Sequence, residues 1–168
     1  EKQLAAQESF WCRLFPTESF DFNPANMMIW PRRPGLDRLI VTPRGLWANR
    51  LYDKCAERFP CSRYTDDLDK IVYLSGSPYV TTARWFRNRQ EADEELANKS
   101  APQLVAEMIA GITLVERLDY ELVFFEETGK HLVDWSKNDH SWLLASRDAG
   151  SRVLDARWSP GNHRVEVY

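Results

Sequence analysis

Residues 113–129 read Thr-Leu-Val-Glu-Arg-Leu-Asp-Tyr-Glu-Leu-Val-Phe-Phe-Glu-Glu-Thr-Gly. Thr113 and Glu116 have the spacing of a capping box, in which the hydroxyl accepts from a first-turn amide while the carboxylate reaches back. Gly129 comes just after the last turn and can adopt the left-handed conformation that closes a helix. Between them Leu114, Val115, Leu118, Leu122 and Phe125 fall within roughly 100° of one another on a wheel of about 3.6 residues per turn. The spacing predicts a central core helix. Tyr120 and Phe124, with Arg117 within reach, form a second stripe on its opposite side. Either a second layer packs there, or the stripe is a cation–π surface.

Upstream of this helix, Ser100 and Gln103 form another capping box. It opens a helix that turns Leu104, Val105, Met108 and Ile109 inward and closes at Gly111. Residues 90–97 read as a short acidic helix. Downstream, 142–145, 152–158 and 164–168 read as strands, with Asp148-Ala-Gly-Ser and Ser159-Pro-Gly-Asn as the turns. Toward the N-terminus, Leu4, Trp11, Leu14 and Phe15 have helical spacing and Pro16 stops the run. Residues 17–35 are irregular, broken by Pro24, Pro31 and Pro34. Met27, Met28, Ile29 and Trp30 within them are either a plug in the core or an exposed contact patch. A strand at 39–41, a Thr42-Pro43-Arg44-Gly45 turn and a helix at about 46–59 follow, and Pro60 ends the helix. Residues 65–69 begin with a helix cap at Thr65, 71–74 are strand-like, 75–78 turn, and 79–86 have the β-branched and aromatic character of a strand.

This order predicts an α+β fold: helices packed on a largely antiparallel sheet that ends in a C-terminal three-stranded meander. One globular domain is expected over 1–168, with an N-terminal helix and irregular loop (1–35) and an α+β core (36–168). A chain of 168 residues can build such a core without staples. Seven Trp, eight Phe and six Tyr exclude a disordered chain. No stretch approaches the ~20 apolar residues of a bilayer span, so no membrane partner is expected. Cys12, Cys55 and Cys61 match no zinc spacing, and Cys55 falls on an apolar helix face. Reduced thiols and a cytoplasmic setting are expected, with a Cys55–Cys61 or Cys12–Cys61 bridge as the alternative. Glu1 in place of Met points to a trimmed or processed start.

Net charge is −3, so the molecule as a whole is no electrostatic glove for nucleic acid. The charge is uneven, however: residues 30–64 carry eight basic and three acidic side chains, whereas 101–140 carry three basic and eight acidic. Arg outnumbers Lys by 16 to six, a usage that suits planar recognition of carboxylate or phosphate. Arg84, Arg87 and Arg89 interleave with Trp85 and Phe86, the composition of a base-stacking surface. The same arginines could instead pair with the adjacent Glu-Ala-Asp-Glu-Glu. Arg32 and Arg33 close the Met-rich loop, and Arg44 stands at a strand-to-helix junction where backbone amides can meet an anion. Asp66, Asp67 and Asp69 read as helix-capping carboxylates, with a Mg²⁺ or Ca²⁺ site as the alternative. His131 follows the central helix near Glu126 and Glu127, while His140 and His163 lie in turns. No His-Glu-x-x-His or Gly-x-Ser-x-Gly motif is present, and Asp134 with Glu126, Glu127 and Lys130 lacks the context of a nuclease cluster.

Several blocks share their order with one family: 35–46, 63–69, 87–96, 111–118, 127–132 and the closing Asp155-Ala-Arg-Trp158. Over residues 35–168 the chain resembles a family of bacterial hypothetical proteins without a known activity, and departs from it around 134–146. The resemblance implies kinship and no mechanism. The sequence therefore leads to a non-enzymatic binding module for a protein or nucleic-acid partner, with Arg32, Arg33, Arg44, Arg84, Trp85, Arg87 and Arg89 as candidate contacts. The alternative is an enzyme for a phosphorylated or anionic substrate, gripped by arginine and assisted by Asp66, Asp67 or His131. A structural or assembly subunit is a third reading. No cofactor and no metal are called for.

Overall fold

A computed structural model describes residues 1–76, 78–133 and 141–168 of the chain. The helices are α1 (Lys2–Leu14), α2 (Ala48–Ala56), α3 (Ala101–Ala106) and α4 (Leu114–Thr128). The strands are β1 (Met28–Ile29), β2 (Arg38–Thr42), β3 (Cys61–Arg63), β4 (Val72–Tyr73), β5 (Thr82–Phe86), β6 (Ser141–Arg147), β7 (Val153–Ser159) and β8 (Arg164–Val167). Helices and strands are mixed, as an α+β fold requires. The strands divide between two sheets, and the chain between two compact units: residues 1–47 with 76–88, and residues 48–75 with 89–168. None of the described helices is long and apolar enough to cross a membrane.

In the first unit β5 lies between β1, which is parallel to it, and β2, which is antiparallel with Arg38 opposite Phe86 and Thr42 opposite Thr82. This leaves β2 with an outward edge, and α1 covers it. The Leu39 amide donates to Gln3 Oε1 at 2.7 Å and the Val41 amide to Gln7 Oε1 at 3.2 Å. Gln3 Nε2 donates to the Asp37 carbonyl at 3.0 Å, and Trp11 Nε1 to the Val41 carbonyl at 2.7 Å. Gln3, Gln7 and Trp11 are spaced by four, so they share one helix face and act as a substitute strand. Around Trp11, which is fully buried, pack the rings of Phe10, Phe15 and Phe20. The irregular segment that follows holds one 3-10 turn, Pro24–Asn26, and then β1.

The second unit is organised on α4. Its capping box is present in full, with Glu116 N donating to Thr113 Oγ1 at 3.1 Å and Thr113 N to Glu116 Oε2 at 2.9 Å. Gly129, at φ +67°, closes it. Every residue from Leu114 to Phe124 is buried, including Glu116, Arg117, Asp119 and Glu121. The side bearing Tyr120 and Phe124 is therefore covered, and Arg117 turns to Glu121 rather than presenting a cation–π surface. Helix α2 packs on α4 through Cys55, whose thiol lies 3.8 Å from the Leu118 carbonyl, and Phe59, beyond the end of α2, meets Phe125 at 4.7 Å between ring centroids. The sheet runs β3-β8-β7-β6-β4, and only β3–β8 is parallel.

A register shift in β6 ties sheet to helix. Leu143 faces Leu154 but Arg147 faces Val153, so 144–146 bulge away from β7. The bulge lets Ser146 Oγ accept from the Leu114 amide at 2.9 Å, adding a second cap to α4, while the Ala145 amide donates to the Ile112 carbonyl. Gly111 is needed for this approach, since a Cβ there would come within 2.2 Å of Leu144 Cβ. It packs against β6 and does not close a helix as the sequence led one to expect. Helix α3 has its capping box but gives way at Glu107, before Gly111. Consequently Val105 and Met108 are exposed, Met108 by 90%, and only Leu104 and Ile109 of the expected four join the small core with Ala101 and Leu144.

Other elements are shorter than their sequence patterns. Helix α2 starts at Ala48, because 43–46 are spent on a turn in which Gly45 (φ +83°) donates to the Pro78 carbonyl and Leu46 to that of Pro43. Strand β5 starts at Thr82, since Tyr79 donates back to Gly76. Residues 90–97 keep only a 3-10 turn, Glu94–Leu96, because Gln90 is tied to Val133. The cap after residue 65 is Asp67 rather than Thr65, and it serves a 3-10 turn, Leu68–Lys70. All three thiols are free, so neither alternative bridge forms.

Candidate functional site

Apart from Arg89, the candidate contacts of the Met-rich loop and of the strand end lie in the first unit. Parallel pairing sets Met28 beside Thr82 and Ile29 beside Ala83, which carries the loop after β1 alongside β5. The arginine of each segment then lies on the tryptophan of the other. Arg84 sits 4.1 Å over the Trp30 ring, and Arg32 5.1 Å over Trp85. Arg32 is also hydrogen-bonded to the Leu36 carbonyl and paired with Asp37. The Arg87 guanidinium lies beside Gly35, whose φ of +80° demands glycine and where a Cβ would approach it to 3.2 Å. Arg33 is exposed, and so are Met28 and Ile29 on the outer strand. Residues 28–47 and 76–88 together carry six arginines and one acidic residue.

Arg89 belongs to the second unit, where it pairs with Glu94 at 2.9 Å and donates to the Ala92 carbonyl. Arg89 thus turns to the acidic stretch 91–95.

Arg44 lines a groove of about 600 Å³ in the first unit, with Gly45, Ser19, Phe20, Asp21, Asn26 and 79–81 as the other walls. The Arg44 amide donates to Thr81 Oγ1, and Thr81 Oγ1 to the Asp21 carbonyl, so the junction is fastened to the irregular segment. Arg44 thus stands on a groove wall.

The proposed acid/base residues go to different structures. Asp66 is exposed. Asp67 accepts from Asn49 Nδ2 at 2.8 Å and from the Asp69 amide, and the Asn49 bond first of all holds its carboxyl below the usual range. Asp69 accepts from the Asn49 amide, so this acidic run serves as caps and ties for α2 and the 3-10 turn. Among the described residues no group of three or more His, Cys, Asp or Glu side chains is arranged to hold a metal ion.

His131 is instead the rim of a buried polar cluster that sequence reasoning did not assemble. Its Nδ1 lies 2.9 Å from Glu121 Oε1, not beside Glu126 or Glu127 as expected, and Glu126 pairs with Arg58. Glu121 Oε2 accepts from Arg117 at 2.6 Å, and both of its oxygens accept from the Leu132 amide. Arg117 in turn donates to the Leu132 carbonyl and to Ser141 Oγ. The pair therefore clamps the peptide of Leu132 by both its polar groups. Trp158 stacks on the His131 ring at 3.8 Å and 8°, Phe125 covers it at 4.8 Å, and Phe59 meets it edge-on. His131 is thus bonded to Glu121 and enclosed by three rings. The only sequence signal for this cluster is the i, i+4 spacing of Arg117 and Glu121.

Both nearby thiols are held in the protonated form. Burial first, then Glu121, pushes Cys61 up to about 12, and burial pushes Cys55 well above its ordinary value. A second groove of about 270 Å³, in the second unit, is lined by Tyr64, 152–155, Asp148 and Tyr168. Asp148 there is already taken by the Gly150 and Arg152 amides and the Arg152 guanidinium. His163 occupies a turn at φ +49°. His140 and Asp134 lie outside the described residues.

No protein-family model matches the chain. Comparison with curated proteins gives no match, and neither does comparison with solved structures.

Proposed function

We infer that the chain is a non-enzymatic binding module and that the β1–β5–β2 face of its first unit takes a nucleic-acid partner. The observation carrying this reading is the interlocked pair of Arg–Trp stacks, Arg84 on Trp30 and Arg32 on Trp85, in segments with six arginines and one acid. Arginine planes and indole faces are the groups on which unpaired bases stack, and guanidinium groups meet phosphates. Arg33 and Arg87 flank the stacks and would follow the backbone. The alternative, an arginine-gripped anionic substrate, is less well supported, because Asp67 and His131 are each committed to internal structure. Kinship with the resembled bacterial family and a cytoplasmic setting belong to the same proposal, the second supported by three free thiols. The antiparallel succession β6–β7–β8 supports the meander.

Fluorescence anisotropy of a labelled single-stranded oligonucleotide across a salt series tests the reading. Affinity falls as salt rises, and Arg33→Ala and Arg87→Ala each lower the slope of log K against log salt by about 0.7. Binding without salt dependence, or none at low salt, overturns the nucleic-acid partner and leaves a protein partner for the same face.

A further inference from the structure

The groove beside Arg44 is bipolar. Asp21 and Arg44 both line it, yet they form no ion pair with each other. Among the described residues the Arg44 guanidinium makes no hydrogen bond or ion pair: its amide is fastened to Thr81, while its side chain is exposed. Asp21 is held ionised. The amide of Asn23 donates to Oδ1 at 2.8 Å and Asn26 Nδ2 to Oδ2 at 2.6 Å, which pulls the carboxyl below its usual range. Each oxygen of a carboxylate still has a lone pair to offer after one such bond. Its aromatic walls are Phe20, braced by Trp11, Phe15 and Phe22, and the exposed Tyr79, which meets Trp47 edge-on. The walls are fixed by Thr81 and by the Gly45–Pro78 bond.

A cleft with arginine alone would take phosphate. Here a fixed carboxylate repels a dianion, and the ligand that satisfies both charges carries one of each sign. The volume of about 600 Å³ lies within the range of sites for drug-sized molecules, on the order of 300–1,000 Å³. We propose that this groove is a binding site for short zwitterionic peptides, with the terminal carboxylate on Arg44, the terminal ammonium on Asp21 and a side chain against Phe20 and Tyr79. The site is independent of the nucleic-acid reading, since it uses neither of the Arg–Trp stacks.

Ligand-observed NMR with a set of Ala-Xaa-Ala tripeptides, Xaa running over the apolar and aromatic residues, tests the site on the full chain. At least one peptide binds at millimolar concentration or below, and either N-acetylation or C-terminal amidation weakens it by about tenfold or more. In Arg44→Gln the acid and the amide bind equally, and in Asp21→Asn the free and acetylated peptides bind equally. Asp21 also holds the Asn23–Asn26 turn, so if Asp21→Asn does not fold, the exposed Arg44→Gln carries the test. Failure of every peptide to bind, or an amide that binds the native protein as tightly as its acid, overturns the proposal. Oligonucleotide binding is unaffected by the peptides in either case.

Discussion

Arg84 in the first unit and Arg117 in the second are both nearly closed to solvent, at 8% and 2% exposure, and they lie against different groups. Arg84 lies over an indole in a segment almost without acids, whereas Arg117 is sealed against a carboxylate that is itself fully buried. A ring face accommodates a cation without cancelling its charge; a carboxylate cancels it. The difference extends to whole units, which carry eight basic and five acidic residues in the first and fourteen basic and twenty acidic in the second. Arginine enrichment is therefore two phenomena here. In the first unit two of the arginines lie on indole rings, and in the second Arg117 joins peptide segments.

The largest effect should come from breaking the sealed pair. Glu121→Ala leaves Arg117 buried without its counter-charge and costs about 3–5 kcal/mol in urea unfolding. Arg117→Met with Glu121→Leu removes both charges and recovers much of that loss. It stays below the native protein by about 1–3 kcal/mol, because the polar groups of Leu132 are stranded. If Glu121→Ala costs less than ~1 kcal/mol, the pair is not the closed clamp described here.

A smaller, pH-dependent effect separates the inner and outer arginines of the second unit. Burial works to raise the Glu166 carboxyl, but hydrogen bonds from Asn162, Arg164 and Tyr168 and the charge of Arg157 outweigh it, leaving it below its ordinary value of 4.5. Its folded value being depressed, its contribution is fully present above pH 4.5 and fades as the pH falls through the folded value. Glu166→Gln should therefore flatten the acid limb of stability against pH and lower stability at neutral pH. An unchanged acid limb would show that the network does not hold the charge.

The smallest effect belongs to the exposed stack. Arg32→Gln removes the cation from Trp85 and costs about 0.5–1 kcal/mol in urea unfolding. A cost approaching that of Glu121→Ala would erase the contrast between the units.

What the sequence revealed and what it hid divide along sequence distance. The ends of α4 were legible because Thr113, Glu116 and Gly129 act on backbone within a few residues. Gln3 and Gln7 were not, since they read as polar positions of an amphipathic helix and acquire their role only from β2, more than thirty residues on. Gly111 looked like a helix stop, and its real constraint is Leu144. Composition flagged both the Met-rich loop and the Arg-rich strand end, but only the parallel β1–β5 ladder makes them one face. The His131 cluster was hidden for a different reason. Glu121 lay on the helix with the strongest apolar pattern, where a carboxylate reads as the solvent side.

The cover that α1 gives to β2 also has an order in time. A chain made from its N-terminus synthesises Gln3 and Gln7 before β2, so both glutamines are available when the strand's amides appear. A chain beginning after Leu14 presents the Leu39 and Val41 amides to any extended segment nearby, a template for cross-chain pairing that ends in aggregates. Residues 2–14 thus close the edge of their own sheet.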